Sequence, residues 1–354
     1  MAGASDSRAD RDRARRPRLS DVAALAGVSS STASRALTDN GYAAPDVRKR
    51  VAAAADKLGY VPDANARGLK AQATRTVGLL VSDLRNSFYA EVAAGAASVL
   101  REQDYTIVLV DDAASDREEM AAARTFLATR VAGVLLTPLS ATVTEFVSRH
   151  GLPVVEIDRQ FSRGRCDAVL INNVKAANEL TSHLLSLGHR RIALVIDETD
   201  WTTGKGRLRG YVRALEQAGL KLDESLVLRC GLDLNEVSDQ TRTLLTARRR
   251  PTAVFTANNL LAELVWRQAH ELGLSIPGDL SFVAFDDSPW MSMVSPGITT
   301  IRQPAFELGS RAAELLLSRI AEPAKARTVS LGSELVERGS VARPGRRRTA
   351  AKTV

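Results

Sequence analysis

Two sets of side chains in this sequence have the types and spacing to do chemistry. The first is SSSTASR at 29–35, which puts hydroxyls and one guanidinium within two helical turns. The second is dispersed: Asp83 with Asn86-Ser87-Phe88-Tyr89, then Asp158-Arg159, Trp201 to Arg207, Asn258-Asn259 and Asp286-Asp287, each set following a short apolar run. Aromatics are scarce, with 3 Trp, 5 Tyr and 8 Phe, yet Phe88, Tyr89, Trp201 and Trp290 all fall at such places. Aromatic faces beside a few carboxylates, amides and guanidiniums suit a small polar ring that is stacked and hydrogen-bonded. Catalysis is not indicated, because there is no G-x-S-x-G elbow, no P-loop and no G-x-G-x-x-G after a strand. The four histidines lack metal-ligand spacing, and Cys166 and Cys230 read as reduced packing residues. No cofactor and no metal are expected.

The elements that must hold these groups can be read along the chain. With 354 residues, 45% hydrophobic and 25% charged, it suits two or three soluble domains, and no apolar run reaches the ~18 residues that span a bilayer. The charged first eighteen residues are followed by LSDVAALAGV rather than an export signal, so a cytoplasmic location is expected. The net charge of +7 is unevenly placed: residues 1–75 hold 14 Lys/Arg against 8 Asp/Glu, residues 76–342 hold 29 against 33, and residues 343–354 hold 5 against none. A basic end on a mildly acidic body points to a polyanionic partner for one part alone.

Residues 19–60 predict three short helices: one capped by Ser20 and ended by Gly27, one capped by Ser29, and one opened by Pro45-Asp46 and stopped at Gly59. Val22, Ala23, Ala26, Val28, Ala33, Ala36, Leu37, Val47, Val51 and Leu58 should meet in a small core. This is the helix-turn-helix layout, whose second helix enters the DNA major groove. Beyond Thr76, apolar runs at 77–81, 105–110, 131–136, 153–157 and 168–171, then at 192–196, 226–229, 252–256 and 280–285, alternate with helical stretches. Such alternation predicts parallel α/β sheets in two similar lobes, with ligands beyond the carboxyl ends of the strands.

The run LSDVAALAGVSSSTASRAL, continued by GYVPDANARGLK and RTVGLLVSDLRNSFYAEV, resembles the LacI/GalR family of bacterial transcription regulators. LGHRRIALV, GRLRGYVRAL, PTAVFTANN, GLSIPGDLSFVAFDD and SPGITTIRQP extend the resemblance from residue 19 to about 340. It implies an all-α helix-turn-helix headpiece at 19–61, a hinge helix and linker at 62–75, and a two-lobed, periplasmic-binding-protein-like α/β core at 76–342. The N-lobe is expected at about 76–172 plus 303–330 and the C-lobe at about 173–302 plus 331–342, with disordered basic tails at 1–18 and 343–354.

By the same resemblance, Ser30, Ser31 and Arg35 face base edges, Ser29, Thr32 and Ser34 lie nearer phosphate, and Leu19, Tyr42 and Tyr60 set register on the DNA backbone. In the hinge, Leu69 would wedge the minor groove, with Asn65, Ala66 and Lys70 alongside; Gly68 replaces a better helix former there. Arg207 and Asp286 match the family's best-shared ligand contacts, with Phe88, Tyr89, Asp158, Arg159, Trp201, Asn258 and Trp290 lining the same site. The family departs here at Asn259 and Asn172, where acids are usual, and at Gly231-Leu232-Asp233.

The function implied is an operator-specific repressor, a homodimer on near-palindromic double-stranded DNA, controlled by a small carbohydrate effector. A nucleobase, nucleoside or sugar-phosphate effector acting as corepressor is the alternative; a phosphate would want more positive charge, and Lys205 beside Arg207 keeps a sugar phosphate open. A transport solute-binding protein would share the two-lobed core but would lack the headpiece. The C-terminal end carries no apolar heptad, so no tetramerising coiled coil is expected.

Overall fold

A computed structural model describes residues 17–38, 42–60, 74–197, 201–231 and 234–345, and the chain divides into two compact units, residues 1–74 and 75–354. The first unit holds helices α1 (Leu19–Ala26), α2 (Ser30–Thr38) and α3 (Pro45–Leu58). Ser20 does not cap α1. Arg18 takes that place, and its backbone N–H donates to Asp21 Oδ2 at 2.7 Å, so a carboxylate reaching back from the first turn does the work expected of the serine. Gly27 closes α1 at φ 66°, a left-handed conformation that costs glycine little. Ser29 Oγ accepts from the Thr32 N–H at 3.1 Å and opens α2. All ten expected core positions lie in one cluster, to which Ala54 and Ala55 of α3 add buried methyls.

The second unit runs in chain order β1 (Thr76–Val81), α4 (Ser87–Glu102), β2 (Thr106–Asp111), α5 (Asp116–Ala128), β3 (Gly133–Leu136), α6 (Ala141–Arg149), β4 (Val154–Ile157), β5 (Asp167–Ile171) and α7 (Asn173–Ser186). It continues β6 (Ile192–Asp197), α8 (Thr202–Gln217), β7 (Val227–Cys230), α9 (Leu234–Thr246), β8 (Ala253–Thr256), α10 (Asn259–Glu271) and β9 (Ser281–Phe285). The chain then forms α11 (Trp290–Met293), β10 (Thr299–Arg302), α12 (Ala305–Ala321), β11 (Thr328–Leu331) and β12 (Glu334–Val336).

These strands make two six-stranded sheets, ordered β11-β5-β4-β3-β1-β2 and β12-β10-β9-β8-β6-β7. Every pairing is parallel except β10 with β12. The sheets define two lobes, and position for position β4 of the first corresponds to β9 of the second. The nine apolar runs are all strands; β10, β11 and β12 are additional. The helices that follow β5 and β10 change sides: α7 packs on α8 in the second lobe, and α12 packs on α4 and on β3 to β5 in the first. The chain therefore passes between lobes after β5, after β10 and between β11 and β12.

Helix α12 sits very close to α4. A Cβ on Gly95 would collide with the Phe306 backbone, and one on Gly309 with the Val92 backbone, so these glycines set the interhelical distance. Among the described residues no helix is long and apolar enough to cross a membrane.

Candidate functional site

In the first unit, Ser30, Ser31 and Arg35 are exposed along α2, while Ala33 turns inward to the core. Ser29 Oγ lies 2.9 Å from Ser31 Oγ and 2.8 Å from Thr32 Oγ1, a hydroxyl cluster at the helix start where backbone N–H groups favour an anion. Arg35 Nε donates back to the Ser31 carbonyl at 3.2 Å, leaving its guanidinium on the solvent face. Tyr42 is 86% exposed. Leu19 and Tyr60 pack partly against the three-helix core, so any contact they make with DNA is shared with packing. Asn65, Ala66, Leu69 and Lys70, with Gly68, lie outside the described residues.

In the second unit the carboxyl ends of the strands converge on a cleft with about 790 Å³ of empty space, part of it open to solvent. Its walls include Ser82 after β1, Asp158 and Arg159 after β4, Asp197 ending β6, Asn258 after β8, Asp286 after β9 and Gln303 after β10. The first turn of α4 and the first two turns of α8 add Phe88, Tyr89, Thr203 and Arg207, with Trp201 just ahead of α8. Asp158 and Asp286 occupy equivalent places in the two lobes, and both are left-handed, at φ 64° and 69°. Such backbone is strained for a non-glycine residue, at about 1–3 kcal/mol each, and is characteristic of ligand clamps.

The polar groups are fixed by one another. Gln303 Nε2 donates to Asp286 Oδ1 at 2.6 Å, and Asn258 Nδ2 donates to Asp197 Oδ2 at 2.7 Å. Arg159 donates to Ser82 Oγ and to the Tyr89 hydroxyl, each at 2.9 Å, and lies over the Trp201 ring. Arg207 donates through Nε to Asn173 Oδ1 at 2.9 Å and through Nη1 to the Ala257 carbonyl, and its guanidinium carbon sits 3.8 Å from the Phe285 ring centroid. Asp158 Oδ1 and Arg159 Nε are buried without a partner.

Burial raises the carboxyls of Asp158, Asp197 and Asp286 above the usual carboxylate range, and the Arg207 charge opposes that shift in all three. Burial also pushes the Tyr89 phenol up to about 12, so it keeps its proton. Three carboxyls facing two guanidiniums give a cleft rich in acceptors, which suits a ligand that offers hydroxyl donors.

Eight of the nine expected cleft residues are brought together. Trp290 is not among the lining residues: past Asp286 the chain turns back through Pro289, and α11 carries the indole onto Trp266 of α10, with ring centroids 6.3 Å apart. Lys205 also lies elsewhere, in a separate groove with Arg163 and Arg209. Asp287 turns out of the cleft to Arg338, Nη1 to Oδ1 at 2.6 Å, and to Arg302. Ser82, Asp197, Asn173 and Gln303 were not anticipated. The first two sit at the ends of recognisable apolar runs, a signal that was available; Gln303 follows a strand whose TTIR sequence is too short and polar to stand out. Asn172 caps α7 by accepting from the Lys175 N–H at 3.0 Å, and Leu232 and Asp233 lie outside the described residues. Among the described residues no group of His, Cys, Asp and Glu has the arrangement to hold a metal ion.

Two family models match parts of the chain. The family described as bacterial regulatory proteins, lacI family, matches residues 18–63, and the periplasmic binding protein-like domain matches residues 181–341. The ribose operon repressor of Escherichia coli (strain K12) is 33% identical over 326 residues, which cover 91% of this chain and 99% of that protein. The HTH-type transcriptional repressor PurR of Vibrio atlanticus (strain LGP32) is 31% identical over 327 residues, covering 91% and 98%. A solved LacI family transcriptional regulator from Enterococcus faecium with bound ribose is 30% identical at a TM-score of 0.68, covering 76% of this chain and 99% of that one. Helix-turn-helix and two-lobed core thus match in one order along nearly the whole chain, and the chain belongs to the LacI family of bacterial regulatory proteins.

Proposed function

We propose that the protein is a cytoplasmic, non-enzymatic transcriptional repressor whose grip on a near-palindromic operator is released by a neutral sugar bound between the two lobes. The observation that carries the ligand class is the buried acceptor set Asp158, Asp197 and Asp286 held against Arg159 and Arg207. Hydroxyls both donate and accept, so a polyol ring can pair with carboxylates and guanidiniums together. A phosphate dianion would meet three carboxyls, and Lys205, the cation that kept a sugar phosphate open, lines another groove. A purine would stack on an aromatic face, and the Arg159 guanidinium already takes one face of Trp201. The named relatives include both a ribose operon repressor and PurR, so ribose is the first probe.

The mechanism is a population shift: the sugar binds better to the closed arrangement of the lobes, and closure is what the DNA-binding form disfavours. Dimerisation supplies the second half-site. The outer strand β2, with Val108 and Leu109 each 39% exposed, offers an apolar edge for a second copy.

The test is to isolate operator fragments with the purified protein and titrate them with D-ribose, D-ribose 5-phosphate and hypoxanthine. Release by D-ribose alone supports the reading. Asp286→Ala should keep operator binding and lose that release. Release by the purine, or tighter operator binding with it, would replace the sugar reading by a corepressor one.

A further inference from the structure

Outside the ligand cleft, polar contacts join the lobes directly: the Gln160 N–H donates to Thr202 Oγ1 at 3.3 Å, and a denser cluster is built on two serines. Ser87, the first residue of α4, and Ser288, just after β9, lie in different lobes with their Oγ atoms 2.8 Å apart. Asn259, the first residue of α10, donates through Nδ2 to both, at 3.1 Å to Ser87 and 2.6 Å to Ser288. The donors balance: the amide gives one N–H to each hydroxyl, and one hydroxyl gives its proton to the other. Asn259 is only 4% exposed and Ser288 5%, so these bonds are shielded from competing water. Ser87 and Ser288 line an outer groove rather than the ligand cleft, yet Ser288 stands only two residues beyond Asp286, which borders both.

We propose that Asn259 is a positioning residue that couples lobe closure to the ligand-binding carboxyl: its side chain clasps Ser87 to Ser288, two residues beyond Asp286 in the turn that follows β9. The proposal rests on the reading of Asp286 as a ligand contact. The clasp sets how readily the lobes close before any ligand arrives, and so tunes ligand sensitivity from outside the ligand's own contacts. A ligand whose competent form is only partly populated binds more weakly by that fraction, so loosening the clasp should weaken every cleft ligand by a common factor.

The test needs no ligand for its first arm. Arg117 at the start of α5 and Glu236 at the start of α9 are exposed and flank the two lobes; spin labels on Arg117→Cys and Glu236→Cys in the full-length protein report the distance between them, and native Cys166 and Cys230 are buried. In this background, Ser87→Ala with Ser288→Ala should move the label distances from the closed towards an open population, changing their ratio about five- to tenfold, as loss of a neutral bond network does. Ser87→Thr, which keeps the hydroxyl, should retain the parent distribution. Asn259→Ala should act like the double serine variant, and operator affinity without ligand should be undiminished in all of them. In the second arm, calorimetry with D-ribose should show a loss equal to the drop in closed fraction that the labels report, at most the same five- to tenfold. An unchanged label distribution in the double serine variant overturns the proposal. If D-ribose fails to bind the parent protein, the sugar reading falls and the label experiment still decides the clasp.

Discussion

Arg159, which follows β4 in the first lobe, holds its guanidinium carbon 3.5 Å from the ring centroid of Trp201, which precedes α8 in the second. The same guanidinium donates to Ser82 and Tyr89, so the indole closes on a cation that its own lobe has already fixed. A desolvated cation–π pair is worth about 2 kcal/mol. Trp201→Leu should therefore weaken D-ribose binding by about tenfold or more by calorimetry, with operator affinity preserved. Unchanged affinity would reduce the stack to packing.

The exposed guanidinium of Arg35 has the fork geometry for O6 and N7 of one guanine, a contact worth about 1–3 kcal/mol of discrimination. Arg35→Ala should lower operator affinity by that amount and random-sequence affinity much less, measured by fluorescence anisotropy at fixed salt. Equal loss on both DNAs would make Arg35 a phosphate contact.

The approach of α12 to α4 is set by Gly95 and Gly309, where an added Cβ meets backbone that cannot rotate away. Gly309→Ala should destabilise the core by about 1–3 kcal/mol and lower the thermal midpoint by several degrees. Gly332→Ala, where an added Cβ meets nothing within 4 Å, is the control and should leave the midpoint in place.

Asp112 is fully buried in the first lobe, accepts from the Ala114 N–H at 2.9 Å through Oδ1, and keeps Oδ2 without a partner. Burial pushes its carboxyl up to about 7, and Glu119 nearby to about 7 as well. Between the ordinary carboxylate range and that value the folded state keeps a proton that the unfolded chain has released. Its contribution to stability is thus fully present below about pH 4 and lost as pH rises through about 7. Asp112→Asn removes this dependence, so denaturant unfolding should find the variant gaining on the parent by roughly 2–4 kcal/mol between pH 4 and pH 8. A constant difference across that range would locate the pH dependence elsewhere.

Much of the fold was legible because burial leaves a linear trace. The nine apolar runs become strands since parallel sheets covered on both faces demand unbroken apolar sequence, and the headpiece is punctuated by Gly27, Pro45 and Gly59, whose backbone preferences are local. The strands that escaped notice are short or half-exposed: β11 alternates exposed and half-buried positions, and β12 is three residues long. With them went Gln303, which stands where the chain passes from the second lobe to the first.

The sequence by itself determined which residues stand at the carboxyl ends of strands, because that follows from chain order and from the chemistry of each short run. Only the tertiary structure decided which of them share a cleft. Asp286 and Trp290 are four residues apart in the chain, yet one lines the cleft and the other packs on Trp266. Ser87 and Ser288 are 201 residues apart and touch. Direction and contact at such places depend on how the sheets twist and how the lobes meet, and those are long-range packing terms that no local propensity encodes.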